Sequence, residues 1–115
     1  MRLNEIVFTD ARPVDGYGPG FFRIGGEVIE GPVAVLPSGV RRWGGYGDVA
    51  PFEAAEIDVL FVGTGAEIAF ADPGFREAVE AAGIGVETMA SPAACRTYNV
   101  LLSEGRRVGL ALFPV

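Results

Sequence analysis

The run Ile57-Asp58-Val59-Leu60-Phe61-Val62-Gly63 restricts what this chain can fold into more than any other stretch. A strand with one solvated face alternates apolar and polar residues, whereas this run is almost continuously apolar, which predicts a strand covered on both faces. With 115 residues in all, the chain has the length of one ordinary domain of about 100–150 residues, so both covers are expected from the same domain. Asp72 and Pro73 supply a cap and a first turn for a helix to about Ala82, with Phe75, Val79 and Ala82 on one face and Gly83 at the stop. "IGVETM" (84–89) reads as the next strand. Ser91 as cap and Pro92 as first residue begin a second helix to about Ser103, and "RRVGLALFPV" closes the chain as a strand. The order β-α-β-α-β indicates an α/β domain whose helices cover a central sheet. The crossover rule makes the strands at 57 and 84 parallel partners and leaves the direction of the last strand open.

The first half has a different rhythm, punctuated by glycine and proline between β-prone runs. "IVFT" (6–9) predicts a strand and "DGYGPG" (15–20) a turn. "FFRIGGEVIEG" predicts a hairpin closed by Gly25-Gly26, with Phe22, Ile24 and Ile29 on one face and Arg23 and Glu30 on the other. "PVAVLP" (32–37) is a short apolar strand. "SGVRRWGGYGD" (38–48) reads as a loop carrying Arg41, Arg42 and Trp43, without the lysine or the glycine order of a phosphate loop. Trp43 either plugs the edge of the core or, with the two arginines, meets a partner.

Absent residue types exclude whole classes of chemistry. The chain contains no histidine and no lysine, so Ser/His/Asp and Cys/His catalysis, histidine metal sites and lysine Schiff bases cannot be built from it. One cysteine makes neither an internal disulfide nor a cysteine zinc site, and neither a metal nor a cofactor is expected. A net charge of −6 repels a phosphate backbone, which argues against a nucleic-acid partner. No apolar run approaches the roughly 20 residues of a membrane-spanning helix, and residues 1–13 do not read as a secretory signal. A cytoplasmic location without direct membrane insertion is expected.

Two groups of residues remain as candidates for a pocket. Gly63, Thr64 and Gly65 end the apolar strand, and ligands of open α/β sheets bind beyond the carboxyl ends of strands; equally, the glycines serve a tight exit from the strand. Cys95, Arg96 and Asn99 lie near the start of the last helix. There the helix dipole and Arg96 favour a thiolate, yet without histidine only a carboxylate such as Glu104, or a group from a partner, would activate Cys95. A cysteine sharing a helix face with Leu102 is otherwise a small buried hydrophobe. Asn99, poor in helix propensity, is expected either to hydrogen-bond a loop such as the Gly63–Gly65 segment or to face solvent.

Three blocks in order, "YGPGFFRIGGEVIEGPVAVLPSGVRRW" (17–43), "IDVLFVGTG" (57–65) and "ACRTYNVLLSEGRRVGLAL" (94–112), resemble the small Mth-type domains of unknown function. That family includes the mitochondrial complex I assembly factor three and the adipogenesis-associated Mth domain-containing protein. Tyr17, Gly18, Pro19, Gly20 and Arg23 carry the likeness in the first block, and Ala94, Cys95, Tyr98, Asn99, Glu104 and Gly105 in the last. Ser91 stands where many members have threonine. The resemblance implies one α/β domain over residues 1–115: a mixed central sheet flanked by helices, with an additional N-terminal β layer. For the eukaryotic members it also implies non-catalytic help in building a respiratory complex. Two functional readings follow. The first is an interaction or assembly module that meets an unidentified protein partner through Arg41, Arg42 and Trp43, with self-association left open. The second is a small-molecule binder or enzyme whose pocket is formed by Gly63, Thr64, Gly65, Cys95, Arg96 and Asn99.

Overall fold

The apolar run at 57–63 becomes a strand with neighbours on both sides and layers on both faces. The structure is a computed structural model that describes residues 11–115; the strand expected at 6–9 lies outside them. Five short strands come first: β1 (Val14–Gly18), β2 (Phe21–Ile24), β3 (Glu27–Glu30), β4 (Val33–Leu36) and β5 (Gly39–Arg42). There follow α1 (Ala50–Glu53), β6 (Val59–Thr64), α2 (Pro73–Ala81), β7 (Gly85–Met89), α3 (Ser91–Ser103) and β8 (Val108–Phe113).

One sheet has the order β1-β2-β3, the other β5-β4-β8-β6-β7. In the larger sheet β6 pairs in parallel with β7 and with β8, while β4 is antiparallel to both β5 and β8. The sheet is therefore mixed, as expected, and the last strand is settled as parallel to β6. Its place between β6 and β4 also explains why "VGLALF" is apolar throughout: β8 has no free edge and no free face.

Alternation along the strands sorts side chains into two cores. Val33, Val35, Phe61, Val108, Leu110 and Leu112 point to one face, where α3 and the small sheet bring Val14, Phe22, Ile24, Ala94, Cys95 and Tyr98. Ala34, Leu36, Leu60, Val62 and Ala111 point to the other, beneath Trp43, Phe52, Phe75 and Val79. The second face is lined with small residues in the middle of the sheet, which leaves room for the three buried rings of Trp43, Phe52 and Phe75. Gly109 belongs to this pattern, since a β-carbon there would lie 2.9 Å from Leu36 Cδ2 and 3.0 Å from Ile57 Cδ1.

The Gly25-Gly26 hairpin forms as expected, with φ of +59° and +83° at the two glycines and Phe22 opposite Ile29. Two local expectations change. The turn expected over 15–20 shrinks to Pro19-Gly20, because β1 pairs with β2 as far as Gly18 opposite Phe21. The loop expected over 38–48 begins with a strand, because Gly39–Arg42 pairs antiparallel along β4. Strand β5 is a sheet edge, so its sequence carries only one apolar residue, Val40, and reads as a loop. At α2 the Asp72 carboxylate accepts a hydrogen bond from the Phe75 N–H at 3.0 Å, which is the expected cap. At α3 the expectation is corrected: Ala90 is the cap residue, without a side-chain bond, and Ser91 already belongs to the helix.

Candidate functional site

The end of β6 and the start of α3 meet in a three-way junction. Ser91, fully buried, accepts a hydrogen bond from the Gly65 N–H at 2.9 Å and donates its hydroxyl proton to the Phe113 carbonyl at 2.6 Å. Its own N–H donates to the Gly65 carbonyl at 2.8 Å. Gly63 is the residue that lets the helix come so near: a β-carbon there would lie 2.6 Å from Ser91 Oγ, 2.6 Å from Leu112 Cδ2 and 2.9 Å from Ser91 Cα. Gly63 and Gly65 therefore contact the helix start, where Ser91 is fully buried and no side chain would fit at Gly63.

Of the remaining candidates on α3, Cys95 faces inward and Asn99 holds the small sheet, while Arg96 is exposed. Cys95 is buried in the core beside Ala94 and Tyr98. Burial pushes its thiol up from its ordinary 9.0 to about 11, outweighing the lowering by Arg96. Tyr98, fully buried, is raised for the same reason, and its hydroxyl donates to the Arg12 carbonyl at 2.7 Å. Between about pH 9 and 11 an unfolded chain releases the Cys95 proton while the folded one keeps it. Stability is therefore expected to fall as pH rises through that window. In the folded state near pH 8 the thiol is expected to resist a disulfide reagent, and to react only as fast as the protein opens. Stopped labelling with and without denaturant measures this; rapid labelling of native protein would contradict it.

Asn99 is half-buried and does not hydrogen-bond the Gly63–Gly65 loop. Its amide pairs with the backbone of β1, Oδ1 accepting from Val14 N–H at 2.8 Å and Nδ2 donating to Val14 C=O at 2.9 Å. A helical side chain thus stands in for a neighbouring strand at the edge of the small sheet. Asn99→Ala is expected to cost about 1–3 kcal/mol, two partly buried bonds being lost. Faster hydrogen exchange at the Val14 amide would check that the loss is local.

Arg41 and Arg42 are exposed on the edge strand β5, with Arg41 at 3.8 Å from Asp48 Oδ2. Trp43 turns the other way. It is only 3% exposed, its ring packs against Tyr46, Phe52, Phe75 and Phe113, and its indole N–H donates to the Asp48 carbonyl at 2.9 Å. Of these three residues only the arginines reach the surface.

The most exposed large apolar groups lie in the loop between β6 and α2, which the sequence reading passed over. Thr64 organises this loop: its hydroxyl donates to the Glu67 carbonyl at 2.7 Å and accepts from the Ala69 N–H at 3.0 Å. The loop presents Ile68, 68% exposed, and Phe70, fully exposed. Burial of such side chains is worth about 1.5–3 kcal/mol each, so covering them would be favourable. The available signal was two large apolar residues in a segment with neither helical nor strand periodicity. A second apolar surface lies on α3, a shallow groove of about 360 Å³ lined by Arg96, Thr97, Val100 and Leu101. Among the described residues, no helix is long and apolar enough to cross a membrane, and no group of three or more acidic or cysteine side chains could hold a metal ion.

Comparison with known proteins bears on what these surfaces do. A family profile described as a protein of unknown function, DUF498/DUF598, matches residues 14–113. An uncharacterised protein of Rhodobacter capsulatus is 46% identical over all of this chain and 94% of its own length. The assembly factor 3 of the NADH dehydrogenase (ubiquinone) 1 alpha subcomplex from Bos taurus is 34% identical over 88% of this chain. The match covers 60% of that relative's length. Among solved structures, a Bartonella henselae protein described as an outer membrane protein is 33% identical at a TM-score of 0.83, covering 92% of this chain and 97% of that one. A Bordetella pertussis protein described as a Mth938-like domain is 29% identical at a TM-score of 0.72, covering 90% and 85% of the two chains.

Proposed function

Because the chain belongs to the DUF498/DUF598 family of proteins of unknown function, we propose that it is a non-catalytic interaction module that assists assembly of a respiratory complex. The observation that carries this reading is the 34% identity with an NADH dehydrogenase assembly factor over 88% of the chain. Fold alone would not suffice, since one fold serves many functions.

The surface supports the same reading. Ile68 and Phe70 are held outward on a loop that Thr64 braces, and Arg41 and Arg42 are exposed on an edge strand. Trp43, buried among Tyr46, Phe52, Phe75 and Phe113, stays in the proposal only as core support for the strand end that carries the arginines. The single domain over residues 1–115, a cytoplasmic site of action and an unidentified protein partner are parts of this proposal. The alternative of a small-molecule pocket at Gly63, Thr64, Gly65, Cys95, Arg96 and Asn99 is not favoured, because the Gly65 N–H is taken by Ser91, the Thr64 hydroxyl by its own loop and the Asn99 amide by Val14, while Cys95 is buried and Arg96 is exposed.

Removing the protein from a native host that possesses this dehydrogenase tests the proposal. Mature complex on native gels and NADH:quinone activity in membranes are expected to fall, and both to return with the wild-type chain. Undiminished mature complex in the deletion strain would overturn it.

A further inference from the structure

Strand β7 is an edge of the five-stranded sheet, with β6 on one side only. Along a strand the backbone groups of successive residues point to opposite sides. The Gly85 N–H donates toward β6, to the Asp58 carbonyl at 2.9 Å. Gly85, Glu87 and Met89 therefore turn to β6, while Val86 and Thr88 turn to the open edge. Arg76 of α2 closes part of that edge, its guanidinium donating to the Val86 carbonyl at 3.0 Å while it pairs with Glu80. Thr88 has no such cover: among the described residues neither its N–H nor its C=O has a partner on the open side. The same residue lines a cavity of about 230 Å³ with Ile68, Ala69 and Phe70. Pockets for small molecules start at about 300 Å³, so this one suits a single apolar side chain better than a whole ligand. Its surroundings are acidic: Glu67, Asp72 and Glu87 are exposed, and among the described residues none of them has an ion-pair partner.

From the open backbone at Thr88, the apolar cavity beside it and the acidic rim, we propose that an extended, basic segment of a protein partner adds to β7 as a further strand. One residue of the segment exchanges both backbone hydrogen bonds with Thr88, and directly opposed residues of paired strands share a face. Thr88 lies on the face of Val86, which belongs to the core beneath Phe75 and Val79. The side chain of the opposed residue is therefore directed to the Ile68 and Phe70 side, and an apolar one fills the cavity. Its two neighbours in the segment turn to the other face, that of Glu87, where lysine or arginine suits them. Because Arg76 holds the next outward carbonyl, pairing stops after this one residue. The contact is short, and its affinity is expected to be weak unless the partner adds others. This inference rests on reading the chain as an interaction module, but not on which complex it helps to build.

Titration of the full chain with a short synthetic peptide, alternating lysine with valine around a central phenylalanine and blocked at both ends, tests it by amide nuclear magnetic resonance. Binding is expected with a dissociation constant of about 1 mM or tighter, with shifts centred on the amides of Thr88, Ala69 and Phe70. Methylating the peptide's alternate backbone nitrogens removes the donors a new strand needs, and exchanging its lysines for glutamates reverses its charge. Each change is expected to weaken binding at least about tenfold. Phe70→Ser and Glu87→Lys, at exposed positions and checked for an intact fold by circular dichroism, should each do the same on the protein side. No shift at the Thr88 amide with peptide at about 5 mM, several times that constant, overturns the proposal. So does binding that is indifferent to backbone methylation, or a glutamate peptide that binds as well as the lysine one. A deletion strain that loses its mature complex while the peptide fails to bind would sink this inference alone. An undiminished complex together with peptide binding at Thr88 would sink the assembly reading alone.

Discussion

Trp43→Ala is expected to lower stability by about 3–5 kcal/mol, the usual loss when a large aromatic is removed from a core. Trp43 stands within 4.9–5.9 Å, centroid to centroid, of Tyr46, Phe52, Phe75 and Phe113. These rings also touch each other, so the hole left by the indole is bordered by groups that cannot all move into it. The indole hydrogen bond to the Asp48 carbonyl is lost as well. Domains of this size are stable by about 5–15 kcal/mol, so the variant would retain only part of that margin, with Tm lower by roughly 10–25 °C. Urea unfolding followed by far-ultraviolet circular dichroism measures the loss. Trp43→Phe keeps a ring but not the donor and is expected to lose less. A change below about 1 kcal/mol for Trp43→Ala would mean that this residue acts at the surface after all.

Ser91→Ala should lose about 2–4 kcal/mol, although it deletes a single oxygen. That oxygen satisfies the Gly65 N–H and the Phe113 carbonyl together, at 2.9 and 2.6 Å, inside a fully buried junction. Leaving a buried backbone group unpaired costs about 1–3 kcal/mol. Because helix α3 is capped at Ala90 without a side chain, helix-cap loss is not the cause. The distinction is measurable: Ser91→Ala should speed hydrogen exchange at Gly65 and along the end of β8, not only in the first turn of α3. Exchange confined to that turn would restore the capping role.

Features decided by neighbours in sequence were legible. The Gly25-Gly26 hairpin, the Asp72 cap and the both-sided burial of β6 follow from local backbone preference and from side-chain period, which a single chain segment displays. Even the parallel pairing of β6 with β7 followed, because a helical connection leaves the chain little choice. Strand β5 escaped, since an edge strand with a single apolar residue owes its structure to β4 rather than to its own pattern. Ser91 was misassigned for a related reason: a serine before proline at a helix start suits a cap, but the Phe113 carbonyl that captures its hydroxyl is 22 residues away.

The candidate surface was less legible than the fold. Asn99 was recognised as out of place in a helix, but its partner is 85 residues distant in β1. Arg41 and Arg42 could be placed outside, while Trp43 beside them could not be placed inside until Phe52, Phe75 and Phe113 were brought over it. Ile68 and Phe70 resemble core residues by composition, and only the finished fold shows that they are exposed.

The amino-acid sequence alone determined the class of fold, the cores' principal strands and the chemistry this chain cannot perform, because period, turn preference and residue inventory are properties of the segment itself. The tertiary structure alone decided the direction and central place of β8, the junction at Ser91, the clamp of Asn99 on β1 and the exposure of Phe70. Each of these depends on which distant groups meet, and a hydrogen bond or a buried contact belongs to the pair that makes it rather than to either residue.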